Sequence, residues 1–379
     1  MAYEGYREGS PTPLNLSIPA PEFLQGDFSN LKDSQGRQIV IYNPFTGRNV
    51  NGVWTRDPFP NNKIPSNLMS PIALNILKLY PAPNVASQGS FYTQQNYFVP
   101  GGENLDKDTF YNLAIRFDFN LGDKDRVFFR HASNDRTEIR ATNPVFNKAG
   151  ADGQLPLKRV NDAYVLDWVR TASPTFIPNV RFSWNRYIEG SRGDPNKGHS
   201  PKELGFPAAL VNQLSVPDWF GRYDLDNYSS LGRYYGFNYS NNFGVHPTAT
   251  KIFRSHAIKT GLDFRLIVYN QQRPGNPFRI HANKNFTQKV YNTADSLSGS
   301  SIASLLLGVP GDASADYNVN PATVQRYYAP YIQDDWKVSR KLTVNLGLRV
   351  DFNQSPFERH DRINRTFDQI GRASCRERV

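Results

Sequence analysis

His256–Tyr269 reads HAIKTGLDFRLIVY, and its alternation decides the fold. Ile258, Thr260, Leu262, Phe264, Leu266 and Val268 take every second position, with Lys259, Gly261, Asp263 and Arg265 between them. Side chains of a strand point alternately to opposite faces, so this period of two makes one apolar and one polar face. The same texture starts near Thr109. Within Phe110–Asn120, Tyr111, Leu113, Ile115, Phe117 and Phe119 alternate with Asn112, Ala114, Arg116, Asp118 and Asn120. Gly122-Asp123-Lys124-Asp125 supplies turn chemistry, and Arg126–Arg136 reads as the returning strand. Tyr164, Leu166 and Trp168 repeat the pattern, as do Val180, Phe182, Trp184 and Ile188 after a Ser173-Pro174-Thr175 break. Tyr327–Lys337 and the run Leu342, Val344, Leu346, Leu348, Val350 and Phe352 read as a further hairpin, joined through Val338-Ser339-Arg340.

These strands reach the roughly 9–11 residues that a tilted transmembrane strand needs. Strands of soluble domains average nearer to about 5–6. Short turns follow Asn120 and Lys337, whereas 8–108, 138–160, 190–250 and 270–322 read as long loops. The expected fold is therefore all-β: a partial transmembrane antiparallel β-barrel, present as a curved open sheet with long extracellular loops. In such a wall the apolar face meets lipid and the polar face lines the lumen. Leu113, Ile115, Phe117, Leu262, Phe264, Leu266, Leu346 and Leu348 are then the lipid-facing candidates. Arg116, Asp118, Asp263, Arg265, Arg349 and Asp351 are the lumen-facing candidates. A soluble sheet shows the same alternation over a protein core; strand length and loop asymmetry separate the two.

Composition agrees with strands. Among 379 residues there are 25 Phe, 20 Tyr and 5 Trp but only 2 Met, an aromatic bias that suits strands over helices. Mean hydropathy is −0.58, and no run approaches the ~18 apolar residues of a spanning helix, which leaves a barrel open. MAYEGYREGSPTP at the start has no secretory-signal pattern. One cysteine and six scattered histidines give no disulfide, metal or cofactor expectation. The net charge of +10 is spread among interleaved acids with no basic stripe, so no nucleic-acid partner is expected. The arginines are expected instead to pair with acids across the lumen, and basic loops to meet outer-leaflet phosphates. No catalytic motif is present and the chain is not read as an enzyme: adjacent Asp334 and Asp335 would point to opposite faces of a strand. Arg192-Gly193-Asp194 reads as a loop turn. Asp224-Leu225-Asp226 lacks the glycine and terminal glutamate of a calcium loop.

The proline-rich 8–108 stretch cannot be a run of central strands. A short helix near 70–80 is expected within it: Ser70 can cap, Pro71 suits the first helical position, and Ile72, Ile76, Leu77 and Tyr80 form a stripe. Packing on its own scaffold and ligand capture are both open roles for this loop.

YYAPYIQDDWKVSRKLTVNLGLRVDF (Tyr327–Phe352) resembles the barrel hairpin of TonB-dependent outer-membrane receptors. EGYR (4–7), GDFS (26–29), RDPFPNNKIP (56–65), LYPAPN (79–84), RFDFNLGDKDRVFFRH (116–131) and SIASLLLGVP (301–310) resemble, in order, the large members with an N-terminal carboxypeptidase-regulatory-like domain. The resemblance implies uptake of a bulky nutrient, of oligosaccharide or siderophore class, across the cell outer membrane. Its implied partners are outer-membrane lipid and the TonB energy-transducing complex, the latter through a plug absent from this chain. It further implies a barrel of about 22 strands, of which residues 1–369 would supply about eight to ten. IGRASCRERV (370–379) reads as the translation of a sequencing adapter, a non-native tail, with an ordinary basic tail as the alternative. A secreted or surface-exposed β-rich glycan-binding module without transport is the alternative function.

Overall fold

The alternating segments pair into one antiparallel sheet of nine principal strands. They are β1 (Ala2–Pro11), β2 (Leu105–Asn120), β3 (Asp125–Ile139), β4 (Leu157–Arg170), β5 (Phe176–Ser191), β6 (Gly236–Phe253), β7 (His256–Gln272), β8 (Ala322–Lys337) and β9 (Thr343–Arg349). The structure, a computed structural model, describes residues 1–87, 94–101, 105–139, 156–191, 199–232, 236–272, 278–316 and 320–362. Arg192-Gly193-Asp194 and the 370–379 tail lie outside the described residues. Each strand pairs with the next in sequence, and Phe352–Asn353 and Phe357–Glu358 run on beside β8. β1 and β9 do not pair with each other, so the sheet is open.

Strands β2–β8 are 14 to 18 residues long, well beyond the about 5–6 of ordinary sheets. Tight turns at 121–124, 171–175, 254–255 and 338–342 occupy one rim, and all the long connections leave the other. No helix among the described residues is long and apolar enough to cross a membrane; a barrel crosses with strands.

Two strands differ from the sequence reading. Most of β6 lies within 190–250, which the sequence reading leaves as loop; it carries Pro247, and a proline cannot donate to a ladder. The strand survives because its pairing with β7 is broken only at His246–Pro247, between Val245↔Phe264 and Thr248↔Gly261. β1 pairs along β2 from Ala2↔Ala114 to Pro11↔Leu105, so the first long connection is 12–104, shorter than 8–108.

The main hydrophobic core lies outside the sheet. Three of the long connections pack together: Ile18, Phe23, Phe28 and Ile41 from the first, Tyr223 and Leu231 from 192–235, and Ile302 and Leu306 from 273–321, all buried. Phe23 stacks on Phe28 at 4.7 Å. The expected helix is α1 (Pro71–Leu77); the Ser70 hydroxyl accepts the Ala73 N–H at 3.4 Å, and Ile76 and Leu77 are buried. Another helix of this layer, α2 (Ser301–Leu306), is buried along its whole length, so its sequence carries no amphipathic stripe. Long-range hydrogen bonds bind the connections into one layer: Ser70 N–H to Leu306 O at 2.7 Å, Arg56 to the Gln288 carbonyl at 3.0 Å, and Tyr80 OH to the Ser229 carbonyl at 2.6 Å.

Candidate functional site

Cross-strand partners share a face, so the register fixes which side chains lie together. One row runs Phe117, Phe129, Leu166, Phe182, Val245, Phe264 and Tyr328 from β2 to β8. Leu113, Ile115, Leu262, Leu266, Leu346 and Leu348 lie on this same face by register and alternation. Its members are uncovered: Phe117 is 51%, Phe182 50% and Leu348 65% exposed. Soluble monomers rarely expose an apolar patch beyond a few hundred Å². This face therefore meets something other than water or a protein core.

The face has edges of its own. His131, Tyr164, Trp184 and Phe243 stack in sequence across β3 to β6, at 4.4, 5.2 and 6.2 Å between ring centres. One register step towards the long connections the same face turns polar, with Ser133, Asp162, Arg186 and Asn241 in line. Towards the short turns, Trp168 donates its indole N–H to Asp125 at 2.9 Å, and Trp336 stacks on His256 at 5.4 Å. An apolar band bounded by aromatic rows is how a strand wall meets the two interfaces of a bilayer.

The opposite face carries the charges. Arg116, Asp118, Asp263, Arg265, Arg349 and Asp351 all lie there, in Arg–Asp pairs two residues apart along a strand: Arg116–Asp118 at 2.7 Å, Arg265–Asp263 at 2.7 Å and Arg349–Asp351 at 3.1 Å. Arg349 also reaches Asp263 at 3.4 Å, which ties β9 to β7, and Tyr327 donates to Asp351. Asp167, nearly buried, accepts from Arg181 at 2.7 Å and Asn179 at 2.9 Å, while the Arg116 guanidinium lies 4.0 Å over the Phe128 ring. The adjacent pair Asp334 and Asp335 falls on opposite faces, Asp334 meeting His256 Nδ1 at 2.6 Å.

Nearer the long connections, the sequence reading missed a ladder of alternating charge. Arg136 lies between Asp108 at 2.5 Å and Glu138 at 3.0 Å; Arg159 joins Glu138 at 2.5 Å to Glu189 at 3.2 Å. Each residue occupies an ordinary polar strand position, so only cross-strand register brings them together. Below them a concavity of about 450 Å³ is lined by Phe110, Asn112, Asn134, Asn161, Arg159 and Tyr187.

In the loop layer, Asp224 and Asp226 are structural acids. Asp224 accepts from Arg222 and Arg279, each at 2.7 Å; Asp226 and Asp312 hold the two nitrogens of His281 at 2.8 and 2.9 Å. Burial pushes the His281 imidazole down, but the hydrogen bonds it donates to both carboxylates outweigh it and raise its pKa above 6.5. Burial pushes Asp224 up, but hydrogen bonds from Arg279, Arg222 and Ser230 outweigh it and hold its carboxyl below the usual range. Among the described residues no group of three His, Cys, Asp or Glu side chains is arranged to hold a metal ion.

Strands long enough to cross a bilayer, one bare apolar face, one charged face and a one-sided set of long loops define a transmembrane β-barrel wall. The sequence model described as an outer membrane beta barrel domain matches residues 1–373, and the chain belongs to that family. Its location is the cell outer membrane, and it associates with outer-membrane lipid. No curated protein matches the chain.

Proposed function

We propose that the chain forms wall strands of a TonB-dependent receptor that imports a bulky nutrient, of oligosaccharide or siderophore class. On this reading the apolar face meets lipid, the charged face lines the lumen, and the layer of packed connections lies at the outer mouth, where ligand arrives. The supporting observation is the segregation of the wall: ion pairs and amides on one face, uncovered Phe and Leu on the other. The paired charges make a hydrated passage that does not itself attract one sign of ligand strongly. Energy from the inner membrane would act through a plug domain. The chain's own part is to present the mouth and the lumen surface. The test is uptake in cells carrying the full-length gene: import is expected to stop when the TonB complex is deleted or the inner-membrane proton gradient is collapsed. Import unchanged by either treatment refutes energy coupling and leaves a passive pore or a surface binding module.

A further inference from the structure

Resting on the reading that the charged face lines the lumen, we infer that this wall carries an amide track that binds a neutral, hydroxyl-rich oligomer, an uncharged oligosaccharide rather than a charged ligand. The register places Asn112, Asn134 and Asn161 directly opposite one another on β2, β3 and β4. On β5 the row continues as Tyr187; Asn185, one step towards the short turns and opposite Ala163, reaches back diagonally and donates its amide N–H to Asn161 Oδ1 at 2.6 Å, with Asn242 on β6 opposite Asn185. One step towards the short turns, Ala114, Ala132 and Ala163 face one another and leave the amides standing above a low floor. This is the concavity of about 450 Å³, within the roughly 300–1,000 Å³ of small-ligand sites.

Three features fit a sugar chain. Each carboxamide offers both donors and an acceptor, which matches hydroxyl groups that also do both. On β2, β3 and β4 the amides recur once per strand, about 4.8 Å apart, close to the spacing of successive rings in an extended oligosaccharide. Phe110 and Tyr187 flank the row and offer ring faces against which the apolar face of a sugar can lie. Beside the row, Asn242 Oδ1 is buried with no hydrogen-bond partner among the described residues, a state that costs free energy. Nearby charges do not compete for the ligand, because Asp108, Arg136, Glu138, Arg159 and Glu189 are engaged with one another.

The experiment uses the product of the full-length gene in lipid vesicles, with its thiols removed, Cys375→Ser among them. Isothermal titration with maltoheptaose, cellohexaose and xylohexaose, and with dextran sulfate as the charged comparator, reads the ligand class. At least one neutral oligomer is expected to bind, and Asn134→Ala and Asn161→Ala are each expected to weaken it roughly tenfold, with dextran sulfate neither binding nor competing. Absence of binding by all three neutral oligomers, unchanged affinity in both variants, or preference for dextran sulfate overturns the inference. Asn134→Cys in the same background separates the failures. A membrane-impermeant maleimide that cannot reach it removes the lumen reading itself; labelling without oligomer binding removes only the amide track.

Discussion

Phe182→Arg puts the two environments of the apolar face in direct conflict. Phe182 is 50% exposed, flanked across the ladder by Leu166 on β4 and Val245 on β6. In water, replacing an exposed side chain changes stability by less than about 0.5 kcal/mol, and trading a bare aromatic for a charge improves solubility. In a bilayer the sign reverses. A phenylalanine side chain offers about 200 Å², so its exposed half places roughly 100 Å² against lipid, and at about 25 cal/mol per Å² its removal forfeits about 2.5 kcal/mol. A guanidinium near the midplane of a barrel wall adds about 2–4 kcal/mol, for a total near 5 kcal/mol. Phe182→Leu, which stays apolar, should cost less than about 1.5 kcal/mol. Urea titration of the full chain folded into vesicles, followed by tryptophan fluorescence, measures all three proteins. A Phe182→Arg protein as stable in vesicles as its parent, and equally soluble with no lipid or detergent present, would refute the membrane-facing assignment of this surface.

Other consequences follow from particular contacts. Arg181→Ala strands the nearly buried Asp167 carboxylate and should cost about 2–3 kcal/mol, reduced from a fully buried pair because Arg181 is half exposed. Arg116→Ala, whose pair is exposed on both sides, should leave stability nearly unchanged, so equal losses in urea titration would contradict the assigned burial. At Gly190 an added Cβ would come 2.1 Å from the Gly236 carbonyl oxygen and 2.8 Å from Phe237 Cα. Gly190→Ala should therefore force β5 from β6 at the loop end, read as faster hydrogen exchange at Phe237 and Tyr239. In the loop layer, charged His281 contributes stability that is complete below its ordinary pKa of 6.5 and lost as pH rises through its raised folded value. Asp224, its pKa lowered, contributes stability above the usual carboxylate range that is lost as pH falls through the lowered value. Proteolysis of the Arg279–Ala282 segment should accelerate on both sides of neutrality, and His281→Gln should flatten only the alkaline limb.

The wall was legible in the sequence wherever one face stayed apolar without a break. HAIKTGLDFRLIVY became β7 and FYNLAIRFDFN lies within β2. GFNYSNNFGVHPTATKIF was not legible as β6: Asn241 and Pro247 break its apolar face, and a proline argues against a central strand. The structure accommodates the ring locally. Gly261, the residue paired with the next position along, has no side chain, and a Cβ there would lie 2.9 Å from the Pro247 carbonyl oxygen. The six charged candidates were legible because each sits at a polar step of an alternating run. The charge ladder from Asp108 to Glu189 and the asparagine row were not, since no local pattern says which strands will be neighbours or in what register. The loop layer was least legible. Its short helix followed from a capping serine and a proline, but the α2 residues it meets, such as Leu306, which accepts the Ser70 N–H, lie far along the chain.

The layer and the sheet are nevertheless joined by a simple physical dependence. The first connection leaves Pro11 and returns at Leu105, and these two residues are themselves a ladder pair. Ser191 and Gly236, which close the next contributing connection, are also paired, and Asn270 pairs with Ala322 at the third. Every segment that supplies the loop core is thus a loop whose ends the sheet has already brought together. Closing such loops carries an entropic cost that grows with length, and the strand ladders bear it before any loop contact forms. A register slip of one residue in β5–β6 would exchange the faces of the strand and also displace Tyr223 and Leu231 from the core they share with Phe23, Ile76 and Leu306. The loop layer therefore acts as a check on the wall beneath it: the register that turns Arg116, Asp263, Arg265 and Arg349 to one side also lets the three connections meet.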